Sequence, residues 1–322
     1  MSTARLVPET RDLKGDDAME TLRRASVRQI ATDAVARLRA SDGMSHARSL
    51  AFMIVLTSIP ALIALIGLAA AAGEGGLRTT ITDTLLGVGP GPAGDVLTTA
   101  IEQGSETGAR HNYVPLVFGL IAAVISGTTA FGQIERGANR IYGIEKDRPT
   151  LRKYGLAAAL TVSSGLLVTF GFVLLGGGDT VTASLDTPGP RLLWTVARWI
   201  IGAAAAAFAF TVIFKVSPRR NQPSFSWLAV GAALATVLWL AMTGLLALLW
   251  ASGDTFGETY GPLAGLMGLA LWSYVTSIGL FFGIAFAAQL EAVRAGLPAP
   301  RDERKSVAED ANGTQLAAAT NY

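Results

Sequence analysis

Six apolar stretches, at about 49–72, 113–134, 155–177, 193–214, 226–250 and 260–291, dominate this sequence. Each is near the ~20 residues that a helix needs to cross the hydrocarbon of a bilayer. Lipid offers no hydrogen bonds to a backbone, so a spanning segment must satisfy its own peptide groups, and a continuous apolar run does so as a helix. The expected fold class is therefore all-α: a polytopic membrane helical bundle with about six transmembrane helices, preceded by an N-terminal interfacial amphipathic helix. Only 16% of the 322 residues are charged, against roughly 25% in soluble domains, so lipid rather than water solvates most of the chain.

The charges alternate between connections. Arg23, Arg24, Arg28, Arg37, Arg39 and Arg48 precede the first span, whereas the next connection holds only Arg78 and Arg110 against Glu74, Asp83, Asp95, Glu102 and Glu106. Arg136, Arg140, Lys146, Arg148, Arg152 and Lys153 follow the second span, and Arg191 alone accompanies Asp179 and Asp186 after the third. Lys215, Arg219 and Arg220 follow the fourth, Asp254 and Glu258 the fifth, and Arg294, Arg301, Arg304 and Lys305 the last. Under the positive-inside rule every basic connection is cytoplasmic. A multi-pass protein of the bacterial cytoplasmic (inner) membrane follows, with both termini in the cytoplasm. No cleavable signal peptide is expected, because residues 1–48 are polar and the first apolar helix must itself start insertion. Trp194, Trp199, Trp227 and Trp250 fall near span ends, where amphipathic rings prefer the headgroup level.

Three domains are expected: a cytoplasmic segment 1–44 with an amphipathic helix, a transmembrane domain 45–293, and a disordered cytoplasmic tail 294–322. Within 22–41, Val27, Ile30, Ala31, Ala34, Val35 and Leu38 recur at helical spacing opposite Arg24, Arg28, Arg37 and Arg39, which describes a basic helix on the inner membrane surface. The outer segment 77–104 reads as two short amphipathic helices broken by the Gly/Pro run at 87–94. The last helix has no breaker from Pro262 to about Val293 and should outrun the bilayer. Pro60 interrupts the first span, its freed carbonyl being served by Thr57 or a neighbour. Gly279 and Gly283 are spaced for close helix approach.

The second span carries the one polar feature that is hard to dismiss. Ser126, Thr129, Gln133, Arg136 and Arg140 recur at spacings of three and four and so form one stripe, flanked by Glu135 and Asn139. Lipid cannot satisfy these groups, so the stripe meets either other helices or water. In the second case it lines a cytoplasmic cavity, a route for an anionic headgroup, and Arg136, Arg140 and Arg148 supply the bidentate donors that suit phosphate. In the first, Glu135 pairs with one of the arginines and fixes the inner end of the helix. Positive-inside insertion alone also explains the basic loop 136–153.

Three motifs, Ser49-Leu-Ala-Phe-Met-Ile-Val-Leu-Thr-Ser-Ile-Pro60, the stretch Ser126 to Pro149, and Tyr260-Gly-Pro-Leu-Ala-Gly leading to Leu271-Trp-Ser-Tyr274, resemble the YihY/BrkB family of bacterial membrane proteins, most of all its YhjD-type branch. The resemblance covers about 45–292 and implies a six-helix inner-membrane protein, once labelled ribonuclease BN, with some members linked to envelope lipid or lipopolysaccharide export. Where many relatives carry an acidic residue late in the last helix, this chain has Ala285, so a proton-coupled mechanism resting on that carboxylate is not available to it.

The chain has no cysteine, which removes disulfides, thiolate metal sites and cysteine nucleophiles. His46 and His111 are too few and too far apart for a histidine metal site. No catalytic residue, metal or cofactor is expected, and no RNA-binding module with stacking aromatics is visible. The functional expectation is a transporter, flippase or exporter of an anionic lipid or lipid-linked envelope component. Its partners would be membrane lipids and not nucleic acid, with a homo-oligomer left open. A non-catalytic scaffold in envelope assembly is the alternative, and a membrane-associated ribonuclease stands behind both.

Overall fold

A computed structural model of the chain describes residues 6–71, 113–164, 166, 188–251 and 262–297. The expected outer helices of 77–104, most of the third span, His111 and the tail beyond 297 lie outside these residues. The described residues form helices α1 (Gly15–Arg24), α2 (Val27–Ala40), α3 (Gly43–Ala71), α4 (Val114–Ile141), α5 (150–164), α6 (Pro188–Val216), α7 (Phe225–Ala251) and α8 (Pro262–Arg294). Five of them, α3, α4, α6, α7 and α8, are long and apolar enough to cross a membrane. Helix α5 begins the third expected span. The protein is a polytopic helical membrane bundle.

Local chemistry sets the ends. Prolines occupy the first turns of α4 and α6 and open α8, where the missing N–H would have had no helical partner. Asp16 and Asp17 lie in the first turn of α1 and Arg23 and Arg24 in the last, each sign at the favourable end of the helix dipole. Helix α4 closes with Gly143 at φ 77°, the N–H groups of Gly143 and Ile144 bonding back to Arg140 and Asn139 carbonyls at 3.1 and 2.8 Å. Helix α8 ends in the same way at Gly296, φ 70°, with Gly296 on Val293 and Leu297 on Ala292. Both are Schellman closures, which place a glycine where a Cβ would be strained.

The bundle is built from two pairs, α3 with α4 and α6 with α7, and α8 packs on both through α3 and α7. The crossings are close enough to exclude side chains. A methyl added to Gly119 of α4 would stand 2.6 Å from the Ala64 nitrogen of α3. One added to Gly283 of α8 would stand 2.7 Å from Ala235 Cβ and 3.0 Å from the Gly231 carbonyl of α7. Small residues are what allow backbones to meet in this way within lipid.

The buried core is concentrated at one end. Leu50, Ala130, Ile134, Ala138, Phe214, Trp227, Ala235, Phe281, Ile284 and Leu290 are buried there, whereas Val117, Phe118, Ile121, Leu193, Trp199, Leu245, Leu248 and Leu263 are exposed towards the other end. The N-terminal helices cover the packed end, α2 on α8 and α1 on α7. All the described basic connections gather here, so it is called the basic end below.

Two expectations change in this region. The amphipathic segment is two helices, α1 and α2, separated at Ala25 and Ser26, and the apolar face of α2 (Ile30, Ala34, Leu38) is buried in the bundle. Burying an Ile or Leu is worth about 1.5–3 kcal/mol against water, and protein and lipid offer nearly the same gain. The polar bonds decide: Arg37, assigned to the basic outer face, is 1% exposed and donates to Gln289 Oε1 at 3.0 Å and to the Ile141 carbonyl at 3.2 Å. Trp227 is likewise fully buried and is not a headgroup aromatic, because α1 packs on the start of α7. At Pro60, Thr57 does not serve the freed carbonyl; its hydroxyl donates to Met53 at 2.7 Å, within its own turn.

Candidate functional site

Among the described residues, the basic end brings together the polar side chains of α4, of the connections that follow α4 and α6, and of the end of α8. On α4, Ser126 donates to the Ala122 carbonyl at 2.7 Å and Thr129 to that of Ser126 at 2.6 Å. Such bonds satisfy hydroxyls inside a helix without a partner helix. Gln133 Nε2 lies 3.1 Å from His46 Nδ1 of α3. None of Ser126, Thr129, Gln133, Arg136 and Arg140 is buried, and Thr129 and Arg136 are exposed. Among the described residues the stripe is therefore half-buried at Ser126, Gln133 and Arg140 and exposed at Thr129 and Arg136, while Ala130, Ile134, Gly137 and Ala138 on the other side of the same turns are buried.

The flanking residues behave differently. Glu135 is 4% exposed and pairs with Arg148 at 3.3 Å. Arg148 also donates to the carbonyls of Ser217, Val216 and Pro218 at 2.7, 2.9 and 2.8 Å. It thus closes the C-terminus of α6, where carbonyls lack helical donors and the dipole favours a cation. Asn139 donates to Asp147 Oδ1 at 2.9 Å and accepts from the Arg219 N–H at 2.7 Å. Lys153, 5% exposed, donates to Asp147 Oδ2 at 2.8 Å, and Arg136 Nε stands 4.0 Å away. Burial alone would raise Asp147, but the hydrogen bonds from Lys153 and Asn139 and the nearby positive charges outweigh it and hold the carboxyl below its ordinary value.

A second cluster lies beneath the N-terminal segment and was not singled out from the sequence. Arg220 NH2 meets Glu291 Oε1 at 2.6 Å, with both side chains almost wholly buried. The Arg220 guanidinium sits 4.6 Å from the centre of the buried Tyr142 ring, within cation–π range. The Arg37–Gln289 bond lies alongside. Burial lowers the Arg37 guanidinium to about 10, while the neighbouring Tyr142 and Glu291 pull it upward, so it remains charged at neutral pH. The sequence signal was faint: Glu291 is an acid near the end of an otherwise apolar helix, but its partner is 71 residues away. Among the described residues, no three His, Asp or Glu side chains stand close enough to share a metal ion.

A sequence profile of the family described as "Virulence factor BrkB" matches residues 34–308. The "Putative ribonuclease-like protein YfkH" of Bacillus subtilis is 24% identical over 75% of this chain and 88% of its own length. UPF0761 membrane proteins of Rhodospirillum centenum and Aromatoleum aromaticum are 26% and 27% identical over 82% and 76% of this chain. The chain spans 57% and 59% of the lengths of those two relatives. No solved structure matches it.

Proposed function

The chain belongs to the Virulence factor BrkB family, and from that premise we propose that this membrane protein moves an anionic lipid or lipid-linked envelope component across the bacterial cytoplasmic membrane. In this reading the basic end faces the cytoplasm, and exposed Arg28, Arg39, Arg48 and Arg136 meet the anionic leaflet. Each base near such a surface contributes about 1 kcal/mol, screened by salt.

The observation that carries the reading is the polar stripe of α4, no member of which is buried among the described residues. Groups that serve only packing would be expected to be sealed by neighbouring helices, whereas all five stripe residues keep accessible surface and end in two arginines. The cysteine-free chain allows a direct test. Ser126→Cys, Thr129→Cys and Gln133→Cys are exposed to a water-soluble thiol reagent at the basic end, with the apolar surface residue Leu120→Cys as control. Labelling of the three and not of the control is expected. Protection at all three in folded protein removes the physical basis for transport.

A non-catalytic scaffold in envelope assembly is favoured by a different observation. Arg148, which would serve a headgroup, is occupied by Glu135 and three carbonyls. Uniform protection of the stripe would select that reading. Ribonuclease action stands behind both: His46, its sole histidine candidate among the described residues, is bonded to Gln133, and RNA cleavage lost on His46→Ala would restore it.

A further inference from the structure

Residues 6–14 have no regular secondary structure and cross the basic end as a strap. Its trailing end is fixed to α1. There the Gly15 N–H donates to Ser226 Oγ at 3.0 Å, and Arg294 of α8 pairs with Asp17 and Glu20 at 3.2 and 3.0 Å. The Ser224 N–H and hydroxyl add bonds to the Leu13 carbonyl at 3.2 and 2.7 Å. Ahead of Leu13 the strap reaches three parts of the bundle. The Val7 N–H donates to the Tyr142 carbonyl, at the end of α4, at 3.1 Å. Arg220 and Asn221, between α6 and α7, donate to the Pro8 carbonyl and to Glu9 Oε2 at 2.7 and 2.8 Å. The Thr10 hydroxyl donates to the Glu291 carboxylate of α8. The strap precedes residue 34, where the family match begins, while every residue that Val7, Pro8, Glu9 and Thr10 grip lies inside that match.

This leading part is lightly held. Val7 is its one buried apolar side chain, whereas Leu6, Pro8, Glu9, Arg11 and Asp12 are exposed. The bonds to Pro8 and Glu9 are exposed as well, and such bonds gain little over those that water would make in their place. Lifting the strap leaves no uncompensated charge, because Arg220 keeps Glu291 at 2.6 Å. It also brings water to groups that the closed strap leaves unserved. Arg220 Nε, Gln289 Nε2 and Glu291 Oε2 are buried without a hydrogen-bond partner among the described residues. Two of these are donors and one is an acceptor, so water, which is both, suits the set. Their hydration offsets part of what the strap's own bonds contribute. Segments with few buried apolar contacts and exposed bonds are the ones that open locally in a folded protein.

We propose that residues 6–12 are a clasp, hinged at Leu13–Gly15, that swings off the folded bundle and opens the Arg220–Glu291 cluster to water. Fastened, the clasp ties the end of α4 to the α6–α7 connection and to α8, and so holds the two helix pairs together at the basic end. Arg148 is a second tie between the same pairs, through Glu135 and the last carbonyls of α6. Release of the clasp removes one tie and leaves the other. The clasp rests on geometry alone and does not depend on the transport proposed above.

Two measurements on the full chain in nanodiscs test the clasp. Hydrogen exchange should be about tenfold faster at the Val7 amide than at the Gly15 and Ser224 amides of the hinge. Joining Glu9→Cys to Asn221→Cys with a short bifunctional thiol reagent should slow the Val7 amide about tenfold and leave the Leu290 amide of α8 unchanged. Equal rates at the three amides, or no slowing on joining, overturn the clasp. Opening of the cluster is read from Gln222→Cys, buried beside Arg220, with a water-soluble thiol reagent. Glu9→Ala with Thr10→Val removes two grips and should speed its labelling about tenfold. Ser217→Cys, also buried in the α6–α7 connection but bonded to Arg148 rather than to the strap, should keep its rate. Acceleration of both cysteines would mean general loosening, and acceleration of neither would mean that the strap does not seal the cluster; either result overturns the proposal.

Discussion

Arg148 joins three parts of the chain: the basic end of α4 through Glu135, its own loop, and the last carbonyls of α6. Its guanidinium offers donors in a planar fork, which a lysine ammonium cannot reproduce. Removing one member of a buried pair leaves an uncompensated charge and typically costs about 3–5 kcal/mol. Arg148→Ala should therefore lower stability by about 3 kcal/mol, and Arg148→Lys should recover less than half. Thermal unfolding in one detergent measures both, and full recovery by lysine would show that charge alone matters. From the sequence, insertion bias alone accounts for Arg148, with a headgroup ligand as an addition to it. Spacing cannot show that the α6 carbonyls arrive beside it, because they come from 68 to 70 residues away.

At the scale of elements, α8 decides how the two helix pairs meet, and Gly283 is where it has least room. An added methyl meets Ala235 Cβ at 2.7 Å, Phe214 Cζ at 2.8 Å and the Gly231 carbonyl at 3.0 Å. One turn earlier on the same helix, a methyl at Gly279 meets nothing nearer than the Ala235 carbonyl at 3.9 Å. Gly283→Ala should destabilise by about 1–3 kcal/mol through overpacking, while Gly279→Ala should be neutral or slightly stabilising through helix propensity. Equal unfolding temperatures for the two variants would refute the crossing. The helices themselves were readable, since hydropathy and prolines locate α8 within a residue or two. The pair Gly279 and Gly283 was readable as a packing motif too. Which of the two bears the contact depends on helix rotation about its axis, a tertiary quantity. The same holds for α2, whose period was visible while the inward turn of Arg37 depended on Gln289 and Ile141 in distant segments.

For the whole molecule, the question is which way the bundle stands. The described basic connections, the α1–α2 cover and the strap share one end, so a single choice of orientation fixes them all. Each base moved across the membrane opposes both its hydration and the anionic inner leaflet, and the bias of Lys and Arg near span ends sets orientation during insertion. The connections 136–153 and 215–220 hold nine bases, Arg136, Arg140, Lys146, Arg148, Arg152, Lys153, Lys215, Arg219 and Arg220, and the far end has nothing comparable in the sequence. The basic end is therefore expected in the cytoplasm. Lys146 and Tyr113 are both exposed and lie at opposite ends of α4. In the cysteine-free chain, Tyr113→Cys should react with an impermeant thiol reagent on intact cells, and Lys146→Cys only after the membrane is opened. The reverse pattern would invert the molecule, turning the strap and both polar clusters outward. Reaction of both on intact cells would mean two orientations, which a nine-base bias at one end does not permit.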